Sequence, residues 1–195
     1  MKTEARKKNE LSWNPPPEGW FKVNTDAAIQ IQEQRMGLGI LIRDLKGGFV
    51  AATMKTSKFY DNITYAEAEA INLGIEVAER AAIRSLVIES DCLEAVNQIS
   101  IKTRNVSELS WIISEIQNQM QRLKAVKVQF SPRSCNGIAH ELAKKALFVI
   151  EPVQWLGTCP PHLLYLCFLS YESLLSEQKK KSEYFIVIYI SIVVH

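Results

Sequence analysis

Three acidic residues stand where apolar segments of this chain end or turn. Asp26 follows Val23-Asn24-Thr25, Asp91 follows Leu86-Val87-Ile88-Glu89-Ser90, and Glu67 lies between them in a stretch rich in alanine and isoleucine. With Glu67 at zero on a wheel of about 100° per residue, Ala70, Ile71, Gly74, Ile75, Val77, Ala78 and Ala81 fall within about 80° of it. Glu69, Asn72, Glu76, Glu79 and Arg80 take the opposite face. A carboxylate on the core side of a helix must be paired, protonated or bound to a metal, because burying it bare costs several kcal/mol. Each acid also has an ordinary reading: Asp91 as a helix N-cap, Asp26 as a turn residue, Glu67 as a helix-start carboxylate favoured by the dipole.

The elements that must position these acids follow from periodicity. FKVNTDA, GLGILIRD and GGFVAATM read as three short strands forming an antiparallel meander, with Asp44 to Gly48 as the turn between the last two. A helix is predicted over Tyr65 to Ala82, with Ala70 and Gly74 small enough to let it approach a sheet closely. SLVIES at Ser85 to Ser90 is a buried strand, and a helix opens at Asp91 and runs through Ile101. A strand, a crossover helix and a second strand imply parallel pairing. Helix Ser107 to Leu123, strand Val126 to Phe130 and helix Asn136 to Phe148 complete the order β-β-β-α-β-α-α-β-α, a mixed α/β sheet flanked by helices.

Composition sets the frame. The chain has 195 residues, 47% of them apolar, and a formal charge of +2, which suits one domain and gives no strong electrostatic pull toward a polyanion. Cys92, Cys135, Cys159 and Cys167 form no CxxC pair, which argues against a zinc ribbon or disulfide scaffold and for free thiols in a reducing compartment. The charged start MKTEARKKNE is unlike a signal peptide, and no apolar stretch approaches the ~20 residues that cross a bilayer. The expectation is a soluble, intracellular monomer without membrane contact. Residues 1–19, with Pro15-Pro16-Pro17, read as a lead-in. Residues 20–150 read as the domain and 151–169 as its C-terminal flank. Residues 170–195 read as a divergent, poorly packed tail ending in the apolar run FIVIYISIVV.

The order and wording of NTDAA, GLGILIRD, AEAEAINLGIEVA, IESDCLEAV and SPRSCNGIAHELAKKAL resemble the plant ribonuclease H-like (reverse-transcriptase-like) domains, related to type 1 ribonuclease H. The flanks W-x-PPP-x-G-W-x-K-x-N-x-D at Trp13 to Asp26 and P-x-x-W-L-x-x-x-P-P at Pro152 to Pro161 extend the resemblance. It implies a three-layer ribonuclease H-like fold, a mixed five-stranded sheet with helices on both faces. It also implies a two-ion site, normally Mg²⁺ with Mn²⁺ as a substitute, held by Asp26, Glu67 and Asp91. Glu67 and not Glu69 is the match, because Gly74 lies at the family's spacing from it. Two hard cations roughly 4 Å apart would activate a water and stabilise the leaving oxygen during phosphodiester hydrolysis. The activity implied is cleavage of the RNA strand of RNA–DNA hybrids.

The departure is at the fourth position. Where the family has N-x-x-x-D, this chain reads Asn136-Gly137-Ile138-Ala139-His140. His140 shares a helix face with Asn136, but imidazole is a poor ligand for Mg²⁺. A structural histidine, a weakened metal or proton-transfer role and a Mn²⁺ or Zn²⁺ ligand all stay open. The alternative to an active nuclease is a retroelement-derived module that binds nucleic acid and no longer cuts. Arg133 and Asn136 are candidate substrate contacts, and Lys102, Arg104, Lys124, Lys127, Lys144 and Lys145 are candidate phosphate contacts. Trp111, at core-like spacing within Leu109 to Ile116, and Trp155 are expected in the core.

Overall fold

The strand-forming runs between Phe21 and Lys58 fold into a three-stranded antiparallel meander. The computed structural model describes residues 13–101, 107–161, 163, 164 and 167. Strand β1 (Phe21–Gln30) pairs with β2 (Arg35–Arg43), and β2 with β3 (Phe49–Lys58). The β2–β3 turn closes as its residues dictate: the Asp44 carboxylate accepts from the backbone N–H of Lys46 and Gly48, while Gly47 adopts φ 74°, a conformation glycine enters at no steric cost.

Helix α1 (Ile63–Arg80) starts at Asn62, whose side chain accepts from the Tyr65 N–H at 2.9 Å. It crosses over the sheet to β4 (Ser85–Ser90), which lies parallel to β1. Helices α2 (Leu93–Ser100) and α3 (Glu108–Arg122) follow, then β5 (Ala125–Phe130), parallel to β4. Helix α4 (Gly137–Ala146) returns across the other face, and β6 (Val153–Leu156) adds to the outer edge of β3. The strand order is β5-β4-β1-β2-β3-β6. The sheet therefore has six strands where five were expected. The sixth is four residues long and follows Pro152, and its pairing is with a distant strand, so it reads locally as flank.

Two cores result, one per face of the sheet. The larger packs α1, α2 and α3 on Val23, Leu38, Ile40, Ile42 and Ile88, and the smaller packs α4 on Leu41, Ala52 and Met54. Close approach on both sides depends on missing side chains. A Cβ on Gly74 of α1 would meet Val23 and Thr25 at 3.0 Å, as the helix reading anticipated, and a Cβ on Gly39 of β2 would sit 2.3 Å from backbone atoms of α4.

The N-terminal lead-in contributes to the packing. Trp13, ahead of the expected start of the domain, is 4% exposed, donates from Nε1 to Asn24, and lies under the Arg43 guanidinium at 3.7 Å from its ring centre. Trp155 packs in the smaller core as expected. Trp111 does not: it is 73% exposed on α3, because Ile113 and Ile116 take the buried face. Lys102, Arg104 and the run FIVIYISIVV lie outside the described residues.

Candidate active site

Strand β1 does not end at Asp26, contrary to the sequence reading; it continues to Gln30 against β2. What ends nearby is its pairing with β4, whose last matched residues are Asn24 and Glu89. Asp26 and Asp91 each lie two residues beyond that pair, where the two parallel strands part. Crevices beyond the carboxyl ends of parallel strands are where α/β sheets place ligands.

Side chains reach this fork from both faces. Thr25 points toward α1, where it would touch a Cβ at Gly74, so alternation turns Asp26 toward α4. There the Asp26 Oδ2 meets His140 Nδ1 at 3.0 Å. Glu67 comes from the second turn of α1 on the opposite face. Asp26, Glu67 and Asp91 each offer an oxygen within 4.8 Å of the others, the one such acidic group among the described residues. The structure brings together the three acids that the sequence named, and none serves its ordinary role: the N-cap of α2 is Cys92, Asp26 is inside a strand, and Glu67 lies beyond the first turn of α1.

The electrostatics of the cluster are strained. Asp26 is 2% and Glu67 7% exposed. Burial pushes the Asp26 carboxyl up to about 6; the His140 hydrogen bond opposes that and the Asp91 charge adds to it. Burial also lifts Glu67 well above the usual carboxylate range, with Asp26 and Asp91 adding to it, while bonds from the Ala27 backbone and Ser90 offset only part. Ser90 Oγ is 3.4 Å from Glu67 Oε2; it escaped notice in the sequence because a serine at a strand end carries no signal of its own. Three converging carboxylates, offset at Asp26 by His140 and the charge of Arg133 but still raised by burial, fit a hard divalent cation.

His140 is partly buried and is bracketed by Asp26 and Arg133, whose Nη2 lies 2.8 Å from Nε2 and 3.3 Å from Nδ1. Asn136 is turned inward. At 1% exposure it donates from Nδ2 to the Thr25 carbonyl at 2.8 Å, so it ties the start of α4 to β1 and offers no surface to a substrate. Lys124, Lys127, Arg133, Lys144 and Lys145 are all exposed, and Lys144 is engaged by Glu141 at 3.1 Å.

Solved structures with the same architecture include several ribonucleases H. The RNase H1 of the halophilic archaeon Halobacterium salinarum superposes with a TM-score of 0.60 at 19% identity, over 66% of this chain and 97% of that one. An N-terminal RNase H domain from Mycobacterium tuberculosis gives 0.59 at 17%, over 66% and 93%. LC11-RNase H1, solved in complex with an RNA/DNA hybrid, gives 0.58 at 18%, over 65% and 96%. A search of curated proteins finds no match. The fold is thus that of ribonuclease H. The profile of the reverse transcriptase-like family matches residues 24–146, and the chain belongs to that family.

Proposed function

We propose that this protein is a divalent-cation-dependent endonuclease of ribonuclease H type that hydrolyses the RNA strand of RNA–DNA hybrids. The observation that carries the reading is the fork itself: three carboxylates converge, and two of them are buried. The hybrid bound to LC11-RNase H1 supports the substrate class.

Asp26, Glu67 and Asp91 would hold the cation, and Mg²⁺ is the ion such oxygen donors favour, with Mn²⁺ a substitute. Bound there, it supplies Lewis-acid stabilisation to the phosphoryl charge that develops during hydrolysis. Burial of Asp26 and Glu67 excludes water that would screen that charge. His140 orients the Asp26 carboxylate, and the exposed guanidinium of Arg133 has donors left over for a phosphate oxygen. Discrimination of the RNA strand would rest on its 2′-hydroxyls.

The test is cleavage of a labelled RNA–DNA hybrid beside single-stranded and double-stranded RNA, with Mg²⁺, Mn²⁺ or chelator, using wild type and Asp26→Asn. We expect metal-dependent cutting of the hybrid alone, reduced at least about 10³-fold in the variant, which corresponds to about 4 kcal/mol of transition-state stabilisation. A folded wild type that cuts under neither metal, yet retains the hybrid, would replace the enzyme by a retroelement-derived binding module.

A further inference from the structure

We infer that the protein by itself holds one divalent cation and not two, because His140 occupies the fourth position of the site as a hydrogen-bonded clasp on Asp26 and not as a ligand. This rests on the reading of Asp26, Glu67 and Asp91 as a cation site. Arginine carries only donors and stays protonated. The Nη2 of Arg133 lies 2.8 Å from His140 Nε2 and 3.3 Å from Nδ1, over the ring face, and so sets a cation where a metal bound to Nε2 would have to approach. Nδ1 lies 3.0 Å from Asp26 Oδ2, and because a carboxylate only accepts, the ring donates there.

Nδ1 is thus committed to Asp26, Nε2 is covered by a guanidinium, and the ring brings no negative charge. A carboxylate at this position would have brought one. Two dications roughly 4 Å apart repel four times as strongly as two unit charges at that distance and are held together by anions between them. Three carboxylates leave that pair under-neutralised. No other acid can step in: Glu89, the nearest in sequence to Asp91, accepts from Lys22, Asn24 and Gln129, and no fourth His, Cys, Asp or Glu joins the cluster among the described residues. His140 also takes a lone pair of Asp26 Oδ2.

The experiment is Mn²⁺ binding to the full chain without nucleic acid, read by calorimetric stoichiometry and by pulsed electron paramagnetic resonance, for wild type, His140→Asp and His140→Asn. The expected result is one Mn²⁺ per wild-type chain with no ¹⁴N imidazole modulation, one for His140→Asn, and two spin-coupled Mn²⁺ for His140→Asp. Two ions in wild type, or an imidazole modulation that His140→Asn removes, would overturn the inference and leave the cation site standing. A single ion in a folded His140→Asp would also overturn it. No Mn²⁺ bound by wild type would overturn it together with the site. Should His140→Asp fail to fold, the stoichiometry and modulation of wild type beside His140→Asn still decide.

Discussion

Two buried carboxylates, Glu89 and Glu67, sit within a few residues of the fork and are treated in opposite ways. Glu89, on β4, is 4% exposed and accepts from Lys22 at 2.6 Å, Gln129 at 2.9 Å and Asn24 at 3.1 Å. Asn24 is itself held by Trp13 and Arg43. Glu67 has a serine hydroxyl at 3.4 Å, a backbone bond from Ala27, and two other acids for company. The same residue type at nearly the same depth is satisfied in one place and left wanting in the other. A fully bonded buried charge stabilises the arrangement that bonds it, whereas a buried charge without a counter-charge lowers stability until a ligand arrives. The first is architecture and the second is kept for chemistry.

The contrast breaks if the two acids respond alike to removal. Glu89→Ala strands the Lys22 ammonium in the interior and should cost about 3–5 kcal/mol, measurable by chemical denaturation and not recovered by Mg²⁺. The aromatic neighbours give a similar contrast: Trp13→Ala should cost about 3 kcal/mol, and Trp111→Ala, on the exposed face of α3, less than about 0.5 kcal/mol. A large loss at Trp111 would mean that its face is covered in solution.

Asp26→Asn should move the other way, stabilising the metal-free protein by about 1–3 kcal/mol at pH 7, since one unit of pKa shift is worth about 1.4 kcal/mol. The sign follows from the direction of the shift. Asp26 is raised from 3.8 to about 6, so its contribution favours the fold below 3.8 and is lost as pH rises through about 6. Metal-free wild type should accordingly lose stability relative to Asp26→Asn across that window. Mg²⁺ should reverse the order near neutral pH. An ion at a hundred times its Kd adds about 2.7 kcal/mol, and the accompanying rise in Tm should fade below about pH 6 as protons compete for Asp26. A Tm independent of Mg²⁺ at every pH would leave Glu67 and Asp26 as strained acids without a ligand.

Much of this was legible in the sequence because its signals are local. Periodicity placed β1 to β5, the helical wheel put Glu67 on the buried stripe, and Asp91 was placed at a strand exit, whereas Asp26, read at the end of β1, lies within it. What escaped depended on partners far along the chain. That β1 parts from β4 after Asn24 and Glu89 while staying paired with β2 cannot be read from either strand alone. Lys22, Asn24 and Asp26 alternate on one face of β1, a polar stripe that could have announced the Glu89 network, but its reading needs Gln129 and Trp13 as well. Trp111 misled because apolar neighbours surround it; it is about 200° from Ile113 around the helix, so the stripe it seemed to join turns away from it. His140 was left with several roles because the choice among them is made by Arg133, seven residues upstream, across a 3₁₀ turn.

Gly39 is the cross-strand partner of Asp26, and it is also the point where α4 lies on the sheet with no room for a methyl group. One rung of the β1–β2 ladder therefore carries the acid on one strand and, on the other, the gap that lets His140 come down to meet it. The length of the Asp26–His140 bond is in this sense written at a residue that has no side chain: any group added at Gly39 would raise α4 as a lever, and the imidazole would leave the carboxylate while every residue of the site kept its identity.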